Sequence, residues 1–370
     1  MTDFKALLTA EQRDITLEKK YWDYGIIDNG RKIVDHMMHH SAFTLGYNQP
    51  RIVDAVADVM KNIKPEIAET LIPDEPLYVN RVTVQLAEKL YNITQGYRSF
   101  FSLSGSDANE GAVKLASAYH FLKGNKDRKY IVSLNKSFHG STFLVQNIGC
   151  ENLMIDPFYT MEKYSGVKRV NRNFKIEDTD WSQVFCFVVE TCNYGGKMDP
   201  FTDDFWSKLR TIQQEHDVLI VIDDVFFSGG KTGNYAGWKH LPIEPDIFTI
   251  GKAITGGFFP LSAFMYNQKV HDVLPDRFFW DHGFTYNYSI PGIVSALEYL
   301  KIVEEQDLMS NVPNIIERTK QTFKEAGWMV LNNFGTVFVA ANPKKGGMMY
   351  VVPMNATDEY FEVLKENLTS

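Results

Sequence analysis

Four short runs constrain this chain most: Tyr130–Leu134, Val184–Glu190, residues 218–222 and Ile247–Ile250, each apolar with almost no alternation. A strand that alternates apolar and polar residues can leave one face in water, whereas one that is apolar throughout must be covered on both faces. Parallel strands between two layers of helix meet that condition. Helical patterns do lie between the runs. Ala112, Leu115, Ala116, Tyr119 and Leu122 are spaced to place one apolar stripe against a sheet. The expected fold class is therefore α/β, with a mostly parallel central sheet flanked by helices.

The last third has a different rhythm. A helical stretch over 293–326 is followed by strand-like 328–331 and 336–341 and by an amphipathic helix over 357–368, a segregation that predicts a smaller α+β domain. Near the N-terminus, Asp28-Asn29-Gly30 between two extended pieces predicts a hairpin that belongs with it. The expected division is 1–45 and 291–370 for the small domain and 46–290 for the large one. With 370 residues the chain exceeds the roughly 250–300 at which single cores stop growing.

Charge and cysteine content narrow the partners. Lys+Arg number 38 against 46 Asp+Glu, a net charge of −8, so there is no basic footprint for nucleic acid, and small molecules are the expected ligands. Cys150, Cys186 and Cys192 form no metal-ligand spacing, which suits a reducing compartment. The first residues lack a signal-peptide pattern, and no apolar run reaches the ~18 residues of a spanning helix. A cytoplasmic location and no membrane association are expected.

Three segments carry chemistry. Ser102-Leu103-Ser104-Gly105-Ser106-Asp107-Ala108-Asn109-Glu110 opens the striped helix. Small residues ahead of helix amides can cradle a phosphate, and the same residues also read as an ordinary cap, Ser104 or Ser106 with Asp107 or Glu110. Val221-Ile222-Asp223-Asp224-Val225 is a buried strand ending in two carboxylates, where open α/β sheets bind ligands. Its partner could be a salt bridge, a metal or a cationic heterocycle. In Ile247-Phe248-Thr249-Ile250-Gly251-Lys252-Ala253-Ile254-Thr255-Gly256-Gly257 a strand delivers one lysine into a Gly/Thr-rich loop. Apolar surroundings favour its neutral amine, the form that makes Schiff bases.

Two other patterns fail on inspection. Gly229-Gly230-Lys231-Thr232 looks like the end of a nucleotide-binding loop, but Val225 occupies the position of its first glycine. His36, His39 and His40 have a helical chelating spacing but lack the accompanying acid, so packing or pocket lining is the simpler role.

A phosphate cup, a strand-end acid and a Schiff-base lysine together suit pyridoxal 5′-phosphate. At this point the sequence resembles the class III (ω-amino) aminotransferases of the aspartate aminotransferase fold (fold type I). The resemblance runs through Gly46-Tyr47-Asn48-Gln49-Pro50, the Ser104–Glu110 segment, Phe138-His139-Gly140, Glu190, Asp223-Asp224-Val225, Pro245-Asp246-Ile247, the Gly251–Gly257 loop and Gly283-Phe284-Thr285. It implies that Lys252 anchors the cofactor and moves the substrate proton, and that Asp223 pairs with the pyridine nitrogen. It places Gly105 and Ser106 at the phosphate, Phe138 and Val225 on the two ring faces, and Ser104, His139, Gly140 and Glu190 among the cofactor contacts. Thr285 would reach the phosphate of a neighbouring subunit, which makes a homodimer with shared sites.

The implied activity is transfer of an amino group from an amine or ω-amino acid to an α-keto acid such as pyruvate or 2-oxoglutarate, in two half-reactions. Diaminopelargonate synthase-like and glutamate-1-semialdehyde aminomutase-like activities are alternatives within the family. A cofactor-binding protein without catalysis is the alternative outside it. This sequence departs from the pattern at Phe226 for glutamine, Asp224 for glutamate and Lys231 for arginine. It also lacks an arginine ahead of the last strand, where Lys344 and Lys345 stand instead. Met38, His39, His40 and Ser41 are the expected substrate-pocket residues.

Overall fold

The computed structural model describes residues 20–62, 80–149, 166–193, 198–276 and 282–370. Cys150 lies outside them. The first described residues form an antiparallel sheet of β1 (Lys20–Trp22), β2 (Gly25–Asp28) and β3 (Arg31–Val34). Asn29 and Gly30, both at positive φ, make the two-residue turn between β2 and β3. This is the expected hairpin, and its turn twists in the sense the strands require.

The central sheet has seven strands among the described residues: β4 (Arg98–Ser102), β5 (Tyr130–Leu134), β6 (Val167–Val170), β7 (Val184–Glu190), β8 (Leu219–Asp223), β9 (Ile247–Ile250) and β10 (Ser262–Tyr266). Their order is β4-β10-β9-β8-β7-β5-β6. Only β10 runs against its neighbours; the remaining pairs are parallel. Both faces are buried, as the apolar runs predicted. On β8, Ile220 and Ile222 join a core with the helices Arg81–Ile93, Asp203–His216 and Ile290–Glu305, while Leu219 and Val221 join another with the helix Gly105–Leu122. β8 starts and ends one residue later than read from sequence, which brings Asp223 into the sheet. The stripe of Gly105–Leu122 ends at Tyr119, because Leu122 is 39% exposed.

The expected long helix is two, Ile290–Glu305 and Leu308–Glu325, broken where Asp307 takes φ +47°. Hydrophobic spacing runs on through such a break, and aspartate tolerates the left-handed conformation that makes it. The C-terminal sheet has three strands, β11 (Met329–Phe334), β12 (Val337–Asn342) and β13 (Gly346–Val351). β13 escaped the sequence reading because it begins with two glycines. The helix Asp358–Thr369, capped by Thr357, closes the chain. Trp22, Tyr24, Val34 and Met38 pack with Phe323, Trp328, Phe338, Tyr350, Tyr360 and Leu364 in one core, so the two ends of the chain stabilise each other.

Candidate active site

Sheet topology puts three carboxyl ends side by side: Glu190 of β7 is in register with Asp223 of β8, and Asp223 with Thr249 of β9. Asp223 is buried and well supplied with donors. Asn109 Nδ2 (2.8 Å) and His139 Nδ1 (3.0 Å) donate to Oδ2, and the Val225 amide (3.1 Å) donates to Oδ1. Asn109 also donates to the His139 carbonyl (2.9 Å) and accepts from the Thr249 hydroxyl (2.9 Å). The His139 bond assigns that ring's proton to Nδ1. Its Nε2 is buried with no hydrogen-bond partner among the described residues.

Lys252 follows β9. Gly251 is extended, and Lys252 then turns to φ +50° and opens the short helix Lys252–Thr255. A left-handed lysine costs about 1–2 kcal/mol, the kind of strain that collects at functional sites. Burial holds its amine below the usual lysine range, partly offset by the Asp223 carboxylate. Its Nζ lies 5.8 Å from the centroid of the Phe226 ring.

The two readings of the Ser104–Glu110 segment coexist. Ser104 caps the helix Gly105–Leu122 in a capping box with Asp107, whose carboxylate also accepts from the amides of Leu103 and Ser104. That leaves the Gly105 and Ser106 amides at a helix end, where no intrahelical acceptor exists. Close approach explains two glycines. A Cβ at Gly105 would sit 2.6 Å from Val225 Cγ1, and one at Gly140, already at φ +122°, would sit 2.4 Å from Ser106 Oγ. The Ser141 amide donates to Ser106 Oγ (3.1 Å), so 104–106, 139–141 and Val225 form one cradle. Phe138 beside it is 40% exposed. Glu190 is buried, and the next residue, Thr191, donates its hydroxyl to Asp224 (2.5 Å).

Residues 38–41 are unusual. Met38, His39, His40 and Ser41 all have positive φ (43°, 49°, 55° and 72°), so the segment is a left-handed turn and the right-handed chelating spacing of the histidines does not exist. No group of metal-ligating side chains occurs among the described residues. Asp35 holds the turn by accepting from the amides of Met37 (2.9 Å) and His39 (3.0 Å) and from the Tyr47 hydroxyl. Met38 and Ser41 are buried, and Ser41 donates to the Phe226 carbonyl (3.3 Å), which joins the turn to the surroundings of Lys252. His39 and His40 are exposed.

Thr285 is exposed, on a stretch pinned where Asn287 donates to the Phe101 carbonyl (2.7 Å). Lys345 donates to the Leu368 carbonyl (2.9 Å). Asn109 and Thr249 were not singled out from the sequence. Each had a usable signal: Asn109 is three residues before Ala112 on the apolar stripe, and Thr249 is the one polar residue of Ile247–Ile250.

Comparison with known proteins adds the following. A family model described as Aminotransferase class-III matches residues 12–359. An uncharacterized aminotransferase of Sinorhizobium fredii, y4uB, is 26% identical over 343 residues, 85% of this chain and 72% of that protein. Acetylornithine aminotransferase of Caldanaerobacter subterraneus is 28% identical over 296 residues, 79% of this chain and 70% of its own. Among solved structures, a transaminase from the marine bacterium Virgibacillus superposes with a TM-score of 0.81, covering 95% of this chain and 91% of that one at 20% identity.

Proposed function

The chain belongs to the class III aminotransferases, and from that premise we propose that Lys252, Asp223 and the groups gathered on them are its active site. The family's cofactor is pyridoxal 5′-phosphate, and the residues present fit it. A buried amine, a buried carboxylate and a helix-end cradle in which two glycines admit no Cβ are what its aldehyde, ring nitrogen and phosphate each need. When bound, it supplies an aldehyde that condenses with amines and a ring that takes up electron density.

The protein's own groups do the rest. Lys252 Nζ, favoured as a neutral amine by burial, accepts and returns the proton at the substrate carbon. Asp223 pairs with the ring nitrogen, and Asn109 and His139 fix its orientation, so His139 acts through Asp223. The Gly105 and Ser106 amides would hold the phosphate. Phe138 and Val225 would flank the ring, with Gly140 and Glu190 beside it. The left-handed turn at Met38–Ser41 forms the substrate side, where amine or ω-amino acid donors and α-keto acids enter in turn. Thr285, exposed in one chain, serves the phosphate site of a partner subunit in a homodimer. Cys186 and Cys192 are free thiols, which supports a cytoplasmic setting. No helix among the described residues is long and apolar enough to cross a membrane.

The observation that carries this reading is the convergence of a buried lysine after β9 with a donor-rich carboxylate at the end of β8. Borohydride reduction of the yellow holoenzyme followed by peptide mapping tests it. A pyridoxyl label on Lys252, and conversion of the visible band by amine donors, are expected. A label elsewhere sinks the assignment, and a band inert to every amine would leave a binding protein without catalysis.

A further inference from the structure

The loop after Asp223 contains a second pair of opposite charges that the reading above does not use. Asp224 and Lys231 are both fully buried. Asp224 accepts from the Gly237 amide (2.7 Å) and the Thr191 hydroxyl (2.5 Å), closing the loop 224–237 on itself and tying it to the residue after Glu190. Lys231 Nζ donates to the Ser228 carbonyl (2.6 Å). Ser228 in turn sets its hydroxyl against Gly251, 3.4 Å from the amide and 3.5 Å from the carbonyl. Gly251 immediately precedes Lys252, whose backbone is left-handed.

The main chain of Lys231 faces the other way. Its carbonyl accepts from the Thr336 amide (2.9 Å), and a Cβ at Gly335 would lie 2.3 Å from that oxygen. Thr336 accepts from the Val352 amide (2.9 Å), so the turn between β11 and β12 rests on Lys231. One residue thus supports the loop under Lys252 with its side chain and the C-terminal sheet with its backbone.

We propose that Lys231 is a positioning residue for the reaction: its ammonium, balanced by Asp224, fixes the Ser228–Gly251 contact that orients Lys252, and its carbonyl couples that setting to the docked C-terminal sheet. Burial of an unbalanced charge would be strongly unfavourable, which explains why the two charges occur together. Burial raises the Asp224 carboxyl, which its bonds from Thr191 and Gly237 and then the Lys231 charge draw back, and burial lowers the Lys231 amine, which the Asp224 charge draws back. The proposal rests on Lys252 being the reactive lysine.

Lys231→Met and Lys231→Arg holoenzymes test it, with Ser228→Ala and the double variant Asp224→Asn/Lys231→Met as companions. Three quantities are read: thermal unfolding, the pH midpoint of the visible band, and kcat and KM for the amine-donor half-reaction. In Lys231→Met, kcat falls about 10- to 100-fold with little change in KM, the cost of a small misplacement, and the band midpoint moves. Ser228→Ala moves the midpoint in the same direction, and Lys231→Arg restores it. If Lys231→Met fails to fold, the double variant, which buries no lone charge, gives the same readings. Loss of thermal stability with an unchanged midpoint and kcat overturns the proposal. A wild-type pyridoxyl label outside Lys252 overturns the active-site reading itself, a different failure.

Discussion

Asn109→Ala probes the support of Asp223 directly. The carboxamide is buried and makes three hydrogen bonds, to Asp223 Oδ2 (2.8 Å), the His139 carbonyl (2.9 Å) and the Thr249 hydroxyl (2.9 Å). The bond to the carboxylate is charge-assisted and is worth about 1.5–3 kcal/mol, and stranding the buried His139 carbonyl adds about 1–3 kcal/mol, while the Thr249 hydroxyl keeps Asp223 Oδ1 as an acceptor at 3.4 Å. The expected loss is therefore about 3–5 kcal/mol in denaturant unfolding of the apoenzyme, allowing for some relaxation. His139 keeps one bond to Asp223, so the acid stays roughly placed and activity is reduced without vanishing. Asn109→Asp preserves the shape but faces one carboxylate with another. It should weaken cofactor binding more than Asn109→Ala does, although it leaves no cavity. The measurement is the unfolding midpoint of both variants together with the cofactor Kd. Asn109→Ala within about 1 kcal/mol of wild type, with an unchanged Kd, would refute the claim that this amide holds the acid.

Three further outcomes follow from the geometry. His40→Gly relieves a left-handed residue and should raise stability by about 0.5–1 kcal/mol after glycine's own entropy cost, seen in the urea midpoint; a lower midpoint contradicts the strained turn. His120 is buried and its pKa is lowered to about 4 by desolvation, then by Arg128. The unfolded chain therefore binds the proton first, and stability contributed by the neutral ring is lost as pH falls from 6.5 to about 4. His120→Asn should flatten that part of the stability profile, and an unchanged slope argues against it. Gly105→Ala places a methyl 2.6 Å from Val225 Cγ1. Overpacking of about 1–3 kcal/mol is expected in thermal unfolding, with relief in the Gly105→Ala/Val225→Ala double variant; additive losses would show that the two residues do not meet.

Much of this molecule was legible because its signals are local. Unbroken apolar runs located β5, β7 and β9 at their true bounds, and the Asn29-Gly30 turn announced the β2–β3 hairpin. Lys252 and Asp223 stood out because each is a charge delivered by a buried strand. What escaped depends on contacts far apart in sequence. His139 lies 84 residues from the carboxylate it binds, and nothing near it separates a cofactor contact from a bond to Asp223. Periodicity could not show that residues 38–41 turn left-handed, because that conformation is unfavourable locally and persists through Asp35 and Ser41. The Gly229–Thr232 segment lacks the first glycine of a nucleotide loop, but only the structure shows Lys231 buried beneath the site.

The departures at 224, 226 and 231 form a connected set. Phe226 stands where the family pattern places a hydrogen-bonding glutamine, and its ring lies against the Lys252 amine at 5.8 Å, while its carbonyl takes the Ser41 hydroxyl. An apolar ring offers that amine a cation–π contact but no acceptor, and it adds to the burial that lowers the lysine. The backbone around Phe226 is set by the Asp224 carbonyl, which accepts from the amides of Phe227 (3.1 Å) and Ser228 (2.8 Å), and the loop is closed by Asp224 and Lys231. A change at any of the three positions therefore reaches Lys252 through one short loop, by apolar contact at 226 and by hydrogen bonds at 224 and 231. Individual effects there should not add, because the residues share the same backbone.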